Sequence, residues 1–137
     1  MEIEIWVPGD PVAKGRPRVL KSGHAYTPRK TQLYEKHVRL CWAEQSGKKF
    51  GEGTPIIAYI TAGFPIPKSM SNRKREALVW KPHIKKPDAD NVAKSILDAL
   101  QGYAFENDSA VFYVVVKKVY AVDPGVKVEL KAAKGYE

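Results

Sequence analysis

The chain has 137 residues, 44% of them apolar and 28% charged, and its 23 Lys plus Arg against 15 Asp plus Glu give a formal charge of +8. That length supports one domain with a real core and excludes a second independent one. The composition excludes a disordered tail, no apolar run approaches the roughly 20 residues of a membrane helix, and the single Cys41 excludes an internal disulfide. The surplus of cations favours an anionic partner such as nucleic acid. Met1–Ile5 lacks the basic start and apolar run of a signal peptide, so the expected location is cytoplasmic.

Glu2-Ile3-Glu4-Ile5-Trp6-Val7 alternates polar and apolar residues, the pattern of a strand with one buried face, and Pro8-Gly9-Asp10-Pro11 stops it. The Gly- and Pro-rich basic segment that follows predicts a loop. Thr27-Pro28 opens a helix running to about Gln45, with Tyr34, Val38, Cys41, Trp42 and Gln45 at helical spacing and Gly47 as its stop. Pro55 to Phe64 predicts a strand rich in β-branched and aromatic residues, closed by Pro65-Ile66-Pro67. Ser71 caps a short helix over Asn72 to about Val79, which Pro82 prevents from continuing. Lys81 to Pro87 is extended, since residues before proline avoid the helical region. Asp90 or Asn91 then caps a helix to Gln101, ended by Gly102. Val111 to Tyr120 and Val126 to Ala132 predict two strands joined by the turn Asp123-Pro124-Gly125. The expected fold is a single mixed α/β (α+β) domain over residues 1–137, with strands at both ends of the chain.

The cations are not spread evenly. No acid lies between Pro11 and Tyr34, where Lys14, Arg16, Arg18, Lys21, Arg29 and Lys30 all fall. A second basic stretch, Lys68 to Lys86, is interrupted only by Glu76 and ends on Lys85 and Lys86, next to Asp88. Arginine forks on a Gly- and Pro-rich loop suit phosphate contacts, whereas the second stretch reads equally well as a solvated face. His24, His37 and His83 are scattered and read as structural. Cys41 falls on the apolar stripe of its helix and reads as core.

The acids that run against this charge are concentrated in Lys86-Pro87-Asp88-Ala89-Asp90-Asn91-Val92-Ala93-Lys94, followed by Asp98-Ala99-Leu100 and Asn107-Asp108. Asp90, Lys94, Asp98 and Gln101 share one stripe of the predicted helix, opposite Val92, Ile96, Leu97 and Leu100. Asp98 lies about 12 Å along the axis from Asp90, too far to share an ion with it, and is placed to hold Lys94 or to meet a partner. Asp88 and Asp90, one residue apart, point to the same side if the segment is extended. A return of the chain after Gly102 would bring Asp108 back as a third carboxylate. Oxygen ligands without a His or Cys cluster favour Mg²⁺ or Mn²⁺, whose chemistry suits phosphodiester hydrolysis. Lys94, one turn beyond Asp90, suits stabilisation of the extra negative charge on the phosphorus centre.

Plainer readings exist for each part. Asp-x-Asp-Asn is also the form of a capped turn, Lys94 and Asp98 also suit a surface pair, and Asp108 also suits a turn. A calcium-binding helix–loop–helix is excluded, because its sixth loop position is Ala93 and its twelfth Ala99, where glycine and glutamate are required.

Lys86-Pro87-Asp88-Ala89-Asp90-Asn91, Lys94, Asp98-Ala99-Leu100 and Asp108 before a strand resemble the RusA family of Holliday junction resolvases, common in prophages. Gly9-Asp10-Pro11-Val12-Ala13-Lys14-Gly15-Arg16-Pro17-Arg18 resembles that family's amino-terminal loop. The resemblance implies a mixed sheet packed by two main helices, a homodimer, and Mg²⁺- or Mn²⁺-dependent paired nicking of four-way DNA junctions. It also implies Asp88, Asp90 and Asp108 as metal-binding acids and Lys94 as the essential lysine, while the helical spacing leaves Asp98 a supporting role. Asn107 stands where the family often has an acid. Lys14, Arg16, Arg18, Arg29, Lys85, Lys86 and Asn91 are the expected DNA contacts. The other readings are a non-catalytic DNA-binding module and a nuclease acting on flaps or single strands.

Overall fold

Ile3, Ile5 and Val7 are buried and the residues between them exposed, so the alternation at the amino terminus forms a one-sided strand, β1 (Glu2–Pro8). The computed structural model describes every residue from Met1 to Glu137. A short ribbon, β2 (Arg18–Val19) with β3 (Ala25–Tyr26), lies inside the basic segment that its composition marks only as a loop; two exposed residues per strand are too few for periodicity to register. Then come α1 (Arg29–Gln45), β4 (Ile56–Pro65), α2 (Asn72–Leu78), α3 (Ala89–Leu100), a 3₁₀ turn at Asp108–Ala110, β5 (Val111–Ala121) and β6 (Gly125–Ala132). Ser71 caps α2 as expected, its hydroxyl accepting from the Lys74 N–H. No helix is long and apolar enough to cross a membrane.

One mixed sheet in the order β1-β6-β4-β5 forms the frame, with β4 and β5 parallel and the other neighbours antiparallel. The parallel pair requires the long crossover that carries α2 and α3. Helices α1 and α3 pack against each other, α1 also meets β1, and together they cover one face of the sheet. The core includes Ile5, Val38, Ile60, Ile96, Leu100 and Val128, all at most 1% exposed.

Strands β5 and β6 do not pair, although three residues join them. β4 lies between them, because its Ile56, Ala58, Ile60 and Ala62 are buried and a central position buries them best. The link therefore crosses the end of β4, and Gly63 makes room for it: a Cβ there would stand 2.8 Å from the Ala121 Cβ.

Both outer strands are partly covered. At β1, the Gln45 side chain bonds both backbone groups of Trp6, at 2.8 and 2.7 Å, and a His37 ring nitrogen lies 2.8 Å from the Pro8 carbonyl oxygen. At β5, the segment Trp80–His83 runs antiparallel along the strand's final third, with Trp80 N–H donating to Tyr120, Tyr120 N–H to Lys81 and His83 N–H to Lys118. The earlier part of β5 has no backbone neighbour on its outer side.

His83 bears out its structural reading. Its ring stacks on Phe64 at 4.0 Å and meets Tyr120 edge-on, and its buried Nδ1 has no hydrogen-bond partner. Burial, aided by the Lys118 charge, lowers its pKa below the ordinary histidine value. The unfolded chain thus binds a proton that the folded chain resists, so stability falls as pH drops from about 7 through about 6.5 toward the lowered pKa, by at most about 1.4 kcal/mol per pH unit. His83→Phe keeps the stack and removes the titrating nitrogen; urea unfolding followed across this range is expected to show a flatter dependence on pH than the wild type.

Candidate functional site

Helix α3 buries Val92, Ala93, Ser95, Ile96, Ala99 and Leu100 and leaves Asp90, Asn91 and Lys94 exposed, with Asp98 half-buried. The polar stripe is thus as the spacing predicts, with Leu97 half-buried at its border. The helix starts earlier than expected: Asp88 occupies the N-cap position, without a side-chain capping bond, and Asp90 lies in the first turn. Asp88 and Asp90 therefore do not share one side of an extended strand. They flank the positive end of the helix dipole, where a carboxylate is stabilised.

Asp108 lies at the other end of α3. Its N–H donates to the Gln101 side chain at 2.9 Å, and Gln101 is the residue that closes the helix. From Asp90 to Gln101 the axis runs about 16 Å. Asn107 caps the 3₁₀ turn, its side-chain oxygen accepting from the Ser109 N–H at 2.9 Å. Within one chain no group of three His, Cys, Asp or Glu side chains is placed to hold a metal ion. The return after Gly102 thus leads to the far end of the helix, not back to Asp88.

Lys14, expected at the DNA, is drawn inward. Its ammonium lies 3.1 Å from Glu35 on α1 and 3.2 Å from Asp98 on α3, and Arg39 approaches Glu35 at 3.7 Å while its Nε donates to the Ala99 carbonyl. Asp98 therefore holds Lys14 rather than Lys94, because the amino-terminal segment, 84 residues away in sequence, threads between the two helices. Burial works against the Lys14 charge, but its hydrogen bonds to Glu35 and Asp98 outweigh that and raise its pKa. The ammonium is accordingly retained at neutral pH, and this contribution to stability is lost only as pH rises through the raised value.

Backbone bonds tie the same segment down. Lys14 N–H donates to Asn91, the Ser95 hydroxyl to Val12, and Gly15 N–H to the Thr31 hydroxyl. A Cβ at Gly15 would stand 2.6 Å from that hydroxyl oxygen, so the close approach requires glycine. Past this anchor, Arg16 and Arg18 line an open groove with Lys30, Lys86 and Pro87, directly before Asp88. Arg29, at the start of α1, lies on a separate basic surface with Lys36 and Arg39. Lys85 and Lys86 are exposed.

Lys118 is a residue that motif reading misses. Its ammonium donates to the Lys85 and Pro87 carbonyls, at 2.5 and 2.6 Å, fixing the backbone that presents Asp88. Nothing in its local sequence distinguishes it from Lys117; only the pairing of β5 turns it toward that backbone.

Lys14→Met leaves Glu35 buried beside a lost cation, and is expected to cost about 2 kcal/mol in urea unfolding. The double variant Lys14→Met/Glu35→Leu should lose less than the sum of the single losses, since it does not strand the buried Glu35 carboxylate.

Comparison with known proteins shows the family of the chain. The family profile described as endodeoxyribonuclease RusA matches residues 8–131, a span that includes the anchored basic loop, α3 and Asp108. YqaN of Bacillus subtilis (strain 168), an uncharacterized protein, is 33% identical over 137 residues, covering 94% of this chain and 95% of that relative. The chain belongs to the RusA family of endodeoxyribonucleases.

Proposed function

We propose that this protein is a metal-dependent endonuclease of the cytoplasm that resolves four-way DNA junctions, acting as a homodimer whose two sites nick symmetry-related strands. The observation that carries this reading is the basic groove of Arg16, Arg18, Lys30 and Lys86 running directly into the exposed acids Asp88 and Asp90 of a RusA-family chain. A duplex arm in that groove presents its phosphates to the arginine forks and a backbone phosphate to the end of α3.

Asp88, Asp90 and Asp108 supply hard oxygen donors suited to Mg²⁺ or Mn²⁺, although one chain by itself offers only the first two at one place. When bound, such an ion polarises a phosphoryl oxygen and lowers the pKa of a coordinated water. The exposed Lys94, one turn from Asp90, stabilises the extra negative charge that develops at phosphorus. Asn91, also exposed beside Asp90, offers an amide to a neighbouring phosphate. Lys85 contributes charge along the approach, and the Lys118 bonds keep the Asp88 backbone in place. Asp98 supports the site from behind, by holding Lys14.

The test is a labelled four-way junction and a matching linear duplex, each incubated with and without Mg²⁺. The junction is expected to be cut preferentially and only with the ion, and Asp90→Asn to bind it normally while cutting at least about a hundredfold more slowly. Binding without Mg²⁺-dependent cutting would leave a binding module, and equal cutting of both substrates would leave a nuclease without junction selectivity. Cutting of flaps in preference to junctions would assign the other substrate geometry. In a salt titration, Arg16→Ala and Arg18→Ala should each reduce the slope of log affinity on log salt by about one, and Lys14→Met should leave it unchanged, because its charge faces inward.

A further inference from the structure

Trp80 is the one residue other than glycine whose backbone takes the left-handed conformation, with φ at 66°. It follows Val79, the cap of α2, at the position where helices usually place glycine because a side chain crowds the backbone there. The conformation is held from both sides. Trp80 N–H donates to the Tyr120 carbonyl at 2.8 Å, Lys81 N–H to Leu78 at 2.9 Å, and Tyr120 N–H to Lys81 at 3.0 Å. A turn that needed only this geometry would form with less strain around glycine or asparagine.

Burial does not offset that strain. Trp80 is 68% exposed, and its ring meets no other aromatic ring and no cation. The other two tryptophans are used by the fold: the Trp6 ring packs over Gly125, and Trp42 meets Tyr103 edge-on while its Nε1 donates to the Lys48 carbonyl. Helix α2, which leads to Trp80, buries none of its residues. The indole is thus held in solvent by a strained backbone and adds nothing to the core, and strain of this kind collects where a ligand is met.

The surroundings say which ligand. The seven Lys and Arg from Lys68 to Lys86 share that stretch with one acid, Glu76, and none of them is ion-paired. Arg73, Lys74 and Lys81 are exposed close to Trp80 in the chain, and the exposed Lys85 and Lys86 lead on to Asp88. An indole among unpaired cations fits a nucleic acid with open bases, where ring stacks on ring and the phosphates meet the cations. An intact duplex hides its base faces within the stack, and an apolar protein surface gains nothing from the cations. Eight residues separate Trp80 from Asp88, a reach of at most about 28 Å, or about eight nucleotides of one strand. That link is fixed, since His83 N–H donates to the Lys118 carbonyl and the Lys118 ammonium to the Lys85 and Pro87 carbonyls.

We propose that Trp80 is a stacking platform for an unpaired base, of the kind a strand presents at a branch point or in a single-stranded tract, with Arg73, Lys74 and Lys81 on the flanking phosphates. The inference rests on the nuclease reading for DNA as the partner, and it makes Trp80 a residue that selects open over fully paired DNA.

The test is binding without divalent ions, measured by fluorescence anisotropy on a labelled four-way junction, a single strand and a matching linear duplex. Trp80→Ala is expected to bind the junction and the single strand at least about tenfold more weakly and the duplex within about twofold of wild type, and Trp80→Phe to recover most of the loss. The slope of log affinity on log salt should stay unchanged, because an indole releases no counterion. 2-Aminopurine placed at the branch point should be quenched by the wild type and not by Trp80→Ala. Loss on the junction alone would assign the platform to the branch point, and loss on both open substrates to unpaired bases in general. An equal loss on the duplex, or no loss on any substrate, would overturn the platform. Trp80→Gly relieves the left-handed residue, so it is expected to unfold at no lower urea concentration than the wild type while binding as weakly as Trp80→Ala. Marked destabilisation of Trp80→Gly would make the ring a structural element, and altered sedimentation of Trp80→Ala would assign it to a protein contact; either result overturns the proposal. Binding that depends on Trp80 without any Mg²⁺-dependent cutting would remove the nuclease reading and keep the platform. Junction cutting by the wild type with unchanged binding by Trp80→Ala would do the reverse.

Discussion

Lys14 ties three parts of the chain to one point. Its ammonium joins Glu35 on α1 to Asp98 on α3, while its backbone and that of Val12 and Gly15 bond to α3 and α1 on either side. A buried carboxylate such as Glu35 is tolerable only with a cation beside it, and this cation arrives from a segment otherwise made of Gly, Pro and basic residues. The basic loop, which has little apolar surface of its own to bury, thereby acquires a fixed position. Arg16 and Arg18 follow within four residues of the anchor, so their placement in the groove beside Lys86 and Asp88 descends from it. The backbone bonds of Lys14 and Gly15 to α3 and α1 hold that position together with the ion pair.

A second constraint comes from β4. Its buried residues, Ile56, Ala58, Ile60, Ala62, Gly63 and Phe64, favour a central place in the sheet, and that place splits β5 from β6 and makes β5 an outer strand parallel to β4. The crossover needed between parallel strands then carries α3 across the sheet's face and separates its two ends by the length of the helix. The distance between Asp90 and Asp108 is therefore a consequence of strand order.

Much of this was legible in the residues themselves. The alternation in β1, the spacing in α1, the Ser71 cap and the polar stripe of α3 are local patterns, each set by a side-chain period or a capping hydroxyl, and each appears where expected. The family resemblance rested on the Asp88–Lys94 motif and the Gly9–Arg18 loop, which are contiguous and chemically distinctive, and the profile match spans both. What local patterns missed has a common character. The turn between β5 and β6 does not show whether its arms pair, because a short Pro-Gly turn carries no information about a third strand inserted between them. Lys14 looked like a phosphate contact because burial depends on what packs over a side chain, and Glu35 and Asp98 come from distant positions.

The element types, the concentration of cations and acids, and the chemistry that those donors can support are written in local stretches of sequence, because side-chain identity, period and capping act over a few residues. Which charges face inward, which strand is central and where Asp108 lies relative to Asp88 and Asp90 follow from the packing of distant segments. Those outcomes depend on burial of β4 and on ion pairs between residues tens of positions apart, and such long-range energies leave no trace in any local stretch of the chain.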